Sequence, residues 1–227
     1  MLQTTGDFTT AISPRILTID NVPNVRDIGG WMTDSGTRIR QGLLYRGCEL
    51  DGAAEDSYRL TEEGKATMLS ELGIRFEMDL RSSEVNPIPT DTLGEHVIHR
   101  YYAINQYSNV FQEGESVKIR KVFADLANAD NYPMYMHCTY GRDRTGTVCY
   151  LLEALLGVSE KDLRREYELS AFTDSYVDSE SFAVFVADLR RMEGNTMKDK
   201  VEGYLLSIGV TAEEIASIRA IFLGTES

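Results

Sequence analysis

The chain has 227 residues, 42% of them apolar and 26% charged, a composition that fits a folded globule and excludes a disordered or collagenous chain. Thirty-six acidic against 23 basic residues give a net charge of −13, which opposes nucleic acid or an anionic membrane as a standing partner. No window nears the roughly 18 apolar residues of a membrane helix, so stable membrane insertion is not expected.

Residues 1–14 hold no basic-then-apolar run and read as an N-terminal tail, although a chain trimmed of a leader would look the same. Arg15 to Ile19 is a short candidate strand. Asn21 to Gly30 (NVPNVRDIGG) is punctuated by Pro and Gly-Gly. Trp31–Thr33 and Thr37–Arg40 flank Asp34-Ser35-Gly36 and predict a tight hairpin. Leu43–Arg46 is another short strand, and Thr61 to Leu72 is helical with Gly73 as its stop. From Ile74 to Leu80 the pattern alternates. Ile74, Phe76, Met78 and Leu80 share one face, and Arg75, Glu77 and Asp79 share the other, which is strand periodicity.

Val97–Ala103 is a further strand, Ser116–Leu126 a helix, and Pro133–His137 (PMYMH) a short buried strand. Everything after Gly146 reads as helical. Thr147–Leu156 stops at Gly157, and Ser159 caps the next helix. Phe182, Phe185, Val186 and Leu189 keep helical spacing, as do Val201, Tyr204, Leu205 and Ile208. Thr211 and Glu214 form a capping box for the last helix. Strands interleaved with helices, then a helical half, predict a single α/β domain over 15–227, with a central mixed or parallel sheet flanked by helices.

Three cysteines, Cys48, Cys138 and Cys149, have no C-x-x-C spacing. They read as free thiols in a reducing, cytoplasmic setting rather than as a disulfide frame or a zinc site. One stands in an informative stretch, His137-Cys138-Thr139-Tyr140-Gly141-Arg142-Asp143-Arg144-Thr145-Gly146, after a predicted strand and at the opening of a predicted helix. A loop so placed aims several backbone N–H groups at one spot, at the positive end of the helix dipole, and suits a tetrahedral oxyanion. Gly141 permits a turn that other residues resist. Cys138, in that positive potential, is set up as a thiolate nucleophile. The planar fork of Arg144 can hold two phosphate oxygens. Together they predict phosphoryl transfer.

His-Cys-x-x-Gly-x-x-Arg-Thr-Gly resembles the signature of the cysteine-dependent protein tyrosine phosphatases. The loop sequence GRDRTG resembles, more narrowly, bacterial members of the atypical, lipid-phosphatase-like branch. So do NVRDIGG at 24–30, LLYRG at 43–47, LTEEG at 60–64, MDLRSSEV at 78–85 and YLLSIGVTAEEI at 204–215. The likeness spans roughly residues 15–222. One departure is Arg142, where that branch usually carries Lys.

The resemblance implies a phosphocysteine intermediate on Cys138, with no metal or organic cofactor. The loop from Thr139 through Tyr140, Gly141, Arg142 and Asp143 to Arg144 would hold the phosphate, and sulfate or vanadate would bind there too. Thr145 would hydrogen-bond the sulfur, His137 would brace the loop, and Arg142 would point outward. The general acid is left among three carboxylates. Asp79 is favoured because it ends a strand in the DLR motif, with an ion pair to Arg81 or Arg26 as its bland reading. Asp143 in the loop and Asp91 in the 86–96 loop are the others. Arg26 and Asp27 read as a polar brace from the N-terminal region to the loop.

Tyr101, Tyr102 and Tyr107 read as half-buried core or a cleft wall, and Lys118, Arg120 and Lys121 as a solvated face or a docking patch. The expected activity is protein-tyrosine, or dual-specificity, phosphatase. Phosphoinositide or inositol-phosphate hydrolysis is the alternative, and a silent phospho-binding module or a sulfur-transfer protein is less favoured.

Overall fold

The computed structural model describes residues 13–82, 91–172 and 178–224. Its centre is β5 (Met134–His137), an apolar run buried on both faces. β2 (Leu44–Gly47) and β3 (Phe76–Asp79) flank it, both parallel to it, and β4 (Ile98–Tyr101) lies parallel outside β3. A two-residue β1 (Arg26–Asp27) pairs antiparallel with β2. The order is therefore β1-β2-β5-β3-β4, and the expected mixed sheet is present. Because four strands are parallel, Gly47, Asp79, Tyr101 and His137 all end at one edge. Ligand sites on open α/β sheets collect at that edge.

Parallel strands are usually covered on both faces. One face packs against α2 (Glu113–Leu126), α3 (Asp143–Leu155), α5 (Ser179–Arg190), α6 (Met197–Ser207) and α7 (Ala212–Leu223), in a core that includes Met78, Met136, Val148, Phe185 and Phe222. The other face meets the N-terminal segment and α1 (Glu62–Ala66), through Ile19, Val25, Tyr45, Met68 and Tyr135. This is why Glu77 and Asp79, the polar side of the alternation in β3, are buried as fully as its apolar side.

Several expectations hold and others are trimmed. α1 continues as one wide turn over Thr67–Glu71 and stops at Gly73, whose φ is +68°. Ser159 caps α4 (Glu160–Glu168), and Thr211 with Glu214 forms the capping box of α7. The expected strand at 15–19 is reduced to single bridges, Ile16 to Arg26 and Ile19 to Val22. Pro14, the positive φ of Asn21 and Pro23 interrupt a longer ladder. The hairpin at 31–40 is present but closes on one bridge, Met32 to Arg38. A 3-10 turn at Tyr107–Phe111 was not legible. Among the described residues, no helix is long and apolar enough to cross a membrane.

Candidate active site

The segment from Cys138 to Arg142 joins the end of β5 to the start of α3. The carbonyls of Thr139 to Arg142 are tied to groups outside the loop or behind it. Thr139 O accepts from Glu49 N at 3.0 Å, and Tyr140 O from Asn24 Nδ2 at 2.9 Å. Gly141 O accepts from Arg46 Nη2 at 2.8 Å, and Arg142 O from Gly146 N at 2.8 Å and Arg46 Nη2 at 3.4 Å. No described residue accepts a hydrogen bond from the backbone N–H groups of Thr139 to Asp143. The loop thus turns its acceptors outward and leaves its donors available beside Cys138, which is buried.

Gly141 makes this turn possible. Its φ is +61°, and a Cβ there would stand 2.1 Å from Gly47 O. Arg144, in the first turn of α3, donates through Nη2 to Ser82 Oγ at 2.9 Å, just beyond the DLR motif. Thr145 is fully buried and its hydroxyl has no hydrogen-bond partner among the described residues.

Beneath the loop lies a buried charge cluster. His137 Nε2 meets Glu77 Oε1 at 3.0 Å, and the ring stacks on Tyr135. Burial alone would lower the His137 pKa, but Asp79 and Glu77 outweigh it and raise it. Arg81 is 1% exposed and binds three carboxylates: Asp79, Glu49 at 2.8 Å and Asp51 at 2.6 Å.

Asp79 does not present a free carboxyl to the loop. It is fully buried and takes four hydrogen bonds from Arg81, from Nε to both oxygens, from Nη2 and from the backbone N–H. Burial favours its neutral form, but His137 and Arg81 prevail and hold it below the usual carboxylate range. The favoured acid of the sequence is therefore a clamped carboxylate, and the ion pair with Arg81 is the reading that the geometry supports.

The brace from the N-terminal region is present in a different form. Arg26 donates to Asn24 Oδ1, and the Asn24 amide reaches Tyr140 O, so Arg26 acts on the loop through Asn24. Asp27 does not reach the loop. Its oxygens accept from Gly29 N and Gly42 N at 2.7 Å each and tie the 27–42 turn. Arg46 and Glu166 were missed. Arg46 is fully buried, lies 3.6 Å from Glu166 Oε1, and holds the loop directly. A guanidinium inside the apolar strand LLYRG was the available signal, since a buried charge needs a built partner.

Arg142 does not project into solvent. Its side chain is 13% exposed, reaches Asp143 through Nε and Nη2 at 3.0–3.1 Å, and lies over the Tyr140 ring. Asp143 also accepts from the Tyr107 hydroxyl, a contact across 36 residues that the sequence did not show. Asp91 is exposed and closes a small turn with Gly94. Tyr102 is bonded to Asp125, while Tyr101 is exposed. Lys118 and Arg120 are paired with Glu115 and Glu214, and Lys121 is exposed. Cys149 is core, its thiol pushed up to about 12 by burial. Cys48 is also buried and its thiol raised.

A model of a family described as "Tyrosine phosphatase family" matches residues 17–224. The chain is 28% identical over 224 residues to a Cupriavidus necator protein named "Putative tyrosine-protein phosphatase H16_A0669", covering 92% of this chain and 79% of that one. It is 23% identical over 209 residues to the tyrosine-protein phosphatase of Nostoc commune, covering 72% and 71%. Among solved structures it is similar to the core catalytic domain of the PP-IP phosphatase SIW14 from S. cerevisiae in complex with citrate. That match has a TM-score of 0.47 and 17% identity over 67% of this chain and 88% of that one.

Proposed function

The chain belongs to the tyrosine phosphatase family, and on that premise we propose that it hydrolyses phosphotyrosine on proteins through a phosphocysteine on Cys138. The observation that carries the reading is the outward anchoring of four successive carbonyls, which leaves the loop's N–H groups to surround a tetrahedral oxyanion beside the thiol. Residues 15–227 are read as the catalytic domain, preceded by a tail at 1–14. The buried free thiols support a reducing, cytoplasmic setting.

In the first step the Cys138 sulfur attacks phosphorus in line with the leaving oxygen. The S–P bond forms as the P–O bond breaks. The N–H groups from Thr139 to Arg144 and the Arg144 guanidinium hold the equatorial oxygens as charge shifts. Asp143 supplies the proton to the leaving oxygen. It lies in the loop and is 19% exposed at its side chain, whereas Asp79 is sealed beneath Arg81. An arriving phosphate dianion competes for the Arg142 guanidinium and draws it from Asp143. In the second step water attacks phosphorus, Asp143 takes its proton, and sulfur leaves; the resemblance assigns its donor to the Thr145 hydroxyl, which is buried and makes no hydrogen bond to the sulfur in this structure.

The test pairs two variants. Cys138→Ser should abolish turnover yet still bind vanadate. Asp143→Asn should slow aryl phosphates with poor leaving groups far more than para-nitrophenyl phosphate. A leaving-group dependence that appears in Asp79→Asn and not in Asp143→Asn would transfer the proton-donor role to Asp79. A panel of phosphotyrosine, phosphoserine and phosphothreonine peptides and phosphoinositides tests the substrate class.

A further inference from the structure

Asp143 stands at the end of a chain of hydroxyls that no part of the mechanism above uses. The Tyr107 hydroxyl lies within hydrogen-bond reach of Asp143 Oδ1 and 2.7 Å from the Tyr167 hydroxyl, which in turn lies 3.0 Å from Asp178 O. The chain crosses four elements: the start of α3, the 107–111 turn, α4 and the cap of α5.

Tyr107 is held for this contact. It is a non-glycine residue at φ +56°, a conformation that costs free energy and persists only where surroundings enforce it. Its backbone N–H donates to Thr147 Oγ1 at 2.9 Å, and that hydroxyl donates to Asp143 O at 2.8 Å. The residue is thus pinned at both ends to the turn of helix that carries Asp143. Tyr167 is fixed by its ring, stacked on Phe182 with centroids 3.8 Å apart.

Resting on the reading of Asp143 as proton donor and acceptor, we propose that Tyr107 and Tyr167 are positioning residues. They form a reversible hydrogen-bond chain that satisfies Asp143 in both of its protonation states. When Asp143 is ionised, Tyr107 O–H donates to it and Tyr167 O–H donates to Tyr107. When Asp143 carries a proton, every bond in the chain reverses. Until the leaving oxygen is in place, Asp143 O–H donates to Tyr107, Tyr107 to Tyr167, and Tyr167 to the Asp178 carbonyl; the Asp143 O–H then turns from Tyr107 to the leaving oxygen to deliver its proton. Only hydroxyl rotations are needed, no phenol O–H bond breaks, and the transferred proton goes solely between Asp143 and the leaving oxygen or water. The catalytic cycle demands both states in turn, acid in the first step and base in the second. Burial, then Asp143, raises the Tyr107 pKa, and burial pushes Tyr167 up to about 12, so both remain protonated at working pH.

Among the described residues, the charged and titratable groups around Asp143 are Arg142 on the loop, Tyr107 on its turn, Tyr167 on α4 and Asp178 at the start of α5. The two phenols act on it with opposite sign. Tyr107→Phe removes a charge-assisted bond to the carboxylate and so favours the protonated acid. Tyr167→Phe leaves Tyr107 able to serve the carboxylate but removes its acceptor when the acid is protonated, and so favours the ionised form.

The alkaline limb of kcat/KM for an alkyl phosphate should therefore move up in Tyr107→Phe and down in Tyr167→Phe, by about half a pH unit or more each. Both variants keep the ring that packs, and circular dichroism checks their fold. Shifts of the same sign, or none, overturn the relay. An unchanged limb in Asp143→Asn would instead overturn the parent assignment of Asp143, and the relay with it.

Discussion

Replacing Gly141 by alanine tests whether the anion cradle depends on the close approach of two backbones. The new Cβ would lie 2.1 Å from Gly47 O and 2.2 Å from Gly47 C, where ordinary contact begins near 3.4 Å. The loop would have to retreat by about 1.3 Å from β2, or abandon its φ of +61°. The left-handed conformation costs a residue with a Cβ about 1–2 kcal/mol, and overpacking adds about 1–3 kcal/mol. The expected destabilisation is about 2–5 kcal/mol, read as a lowered urea midpoint. A displacement of this size among reacting groups costs about a hundredfold in rate. Steady-state kinetics on para-nitrophenyl phosphate should show that loss in kcat/KM, with vanadate affinity reduced in parallel. Wild-type vanadate affinity in a folded Gly141→Ala protein would refute the reasoning, because the N–H cradle would then survive without the turn that Gly141 permits.

Other expectations follow from the same contacts. Arg46→Met deprives Gly141 O of its buried donor and Glu166 of one of its cations, so urea unfolding should show a loss of about 2–4 kcal/mol with a raised KM. An unchanged KM would detach Arg46 from the loop. Glu153 is fully buried, neither of its oxygens has a partner among the described residues, and burial followed by Glu166 raises its pKa well above the carboxylate range. The unfolded chain ionises it near pH 4.3 while the folded chain keeps the proton, so its contribution falls as pH rises above that point. Glu153→Gln should therefore match wild type near pH 4 and gain about 1.4 kcal/mol per pH unit above it, until the folded carboxyl titrates. A difference independent of pH would refute this. Hydrolysis of para-nitrophenyl phosphate should proceed in excess chelator at the uninhibited rate, and a loss reversed by a divalent cation would contradict thiolate chemistry.

What the sequence made legible is local. The run from His137 to Gly146 carries its own strand end, tight glycine turn and helix start, and the structure places each where the spacing implied. Capping at Ser159 and Thr211 was legible for the same reason, since donor and acceptor lie three residues apart. What was hidden is held across the chain. Arg46 reaches Gly141 over 95 residues, Asn24 reaches Tyr140 over 116, and Tyr107 reaches Asp143 over 36. Asp79 is the opposite case, a position that was legible with a partner that was not. Its position at a strand end fitted an acid, but Arg81, two residues on, folds back to clamp it. Sequence alone does not show which way such a pair turns. Arg142 was expected to point outward because nothing in the loop revealed that its own neighbour would take it.

The most direct test of the account is to quench the wild-type enzyme within milliseconds of mixing with saturating para-nitrophenyl phosphate and map the adduct by peptide mass spectrometry. The account predicts one phosphoryl group, on the peptide bearing Cys138, and none in Cys138→Ser. A phosphoryl group on any other side chain, or full turnover by the serine variant, would contradict it.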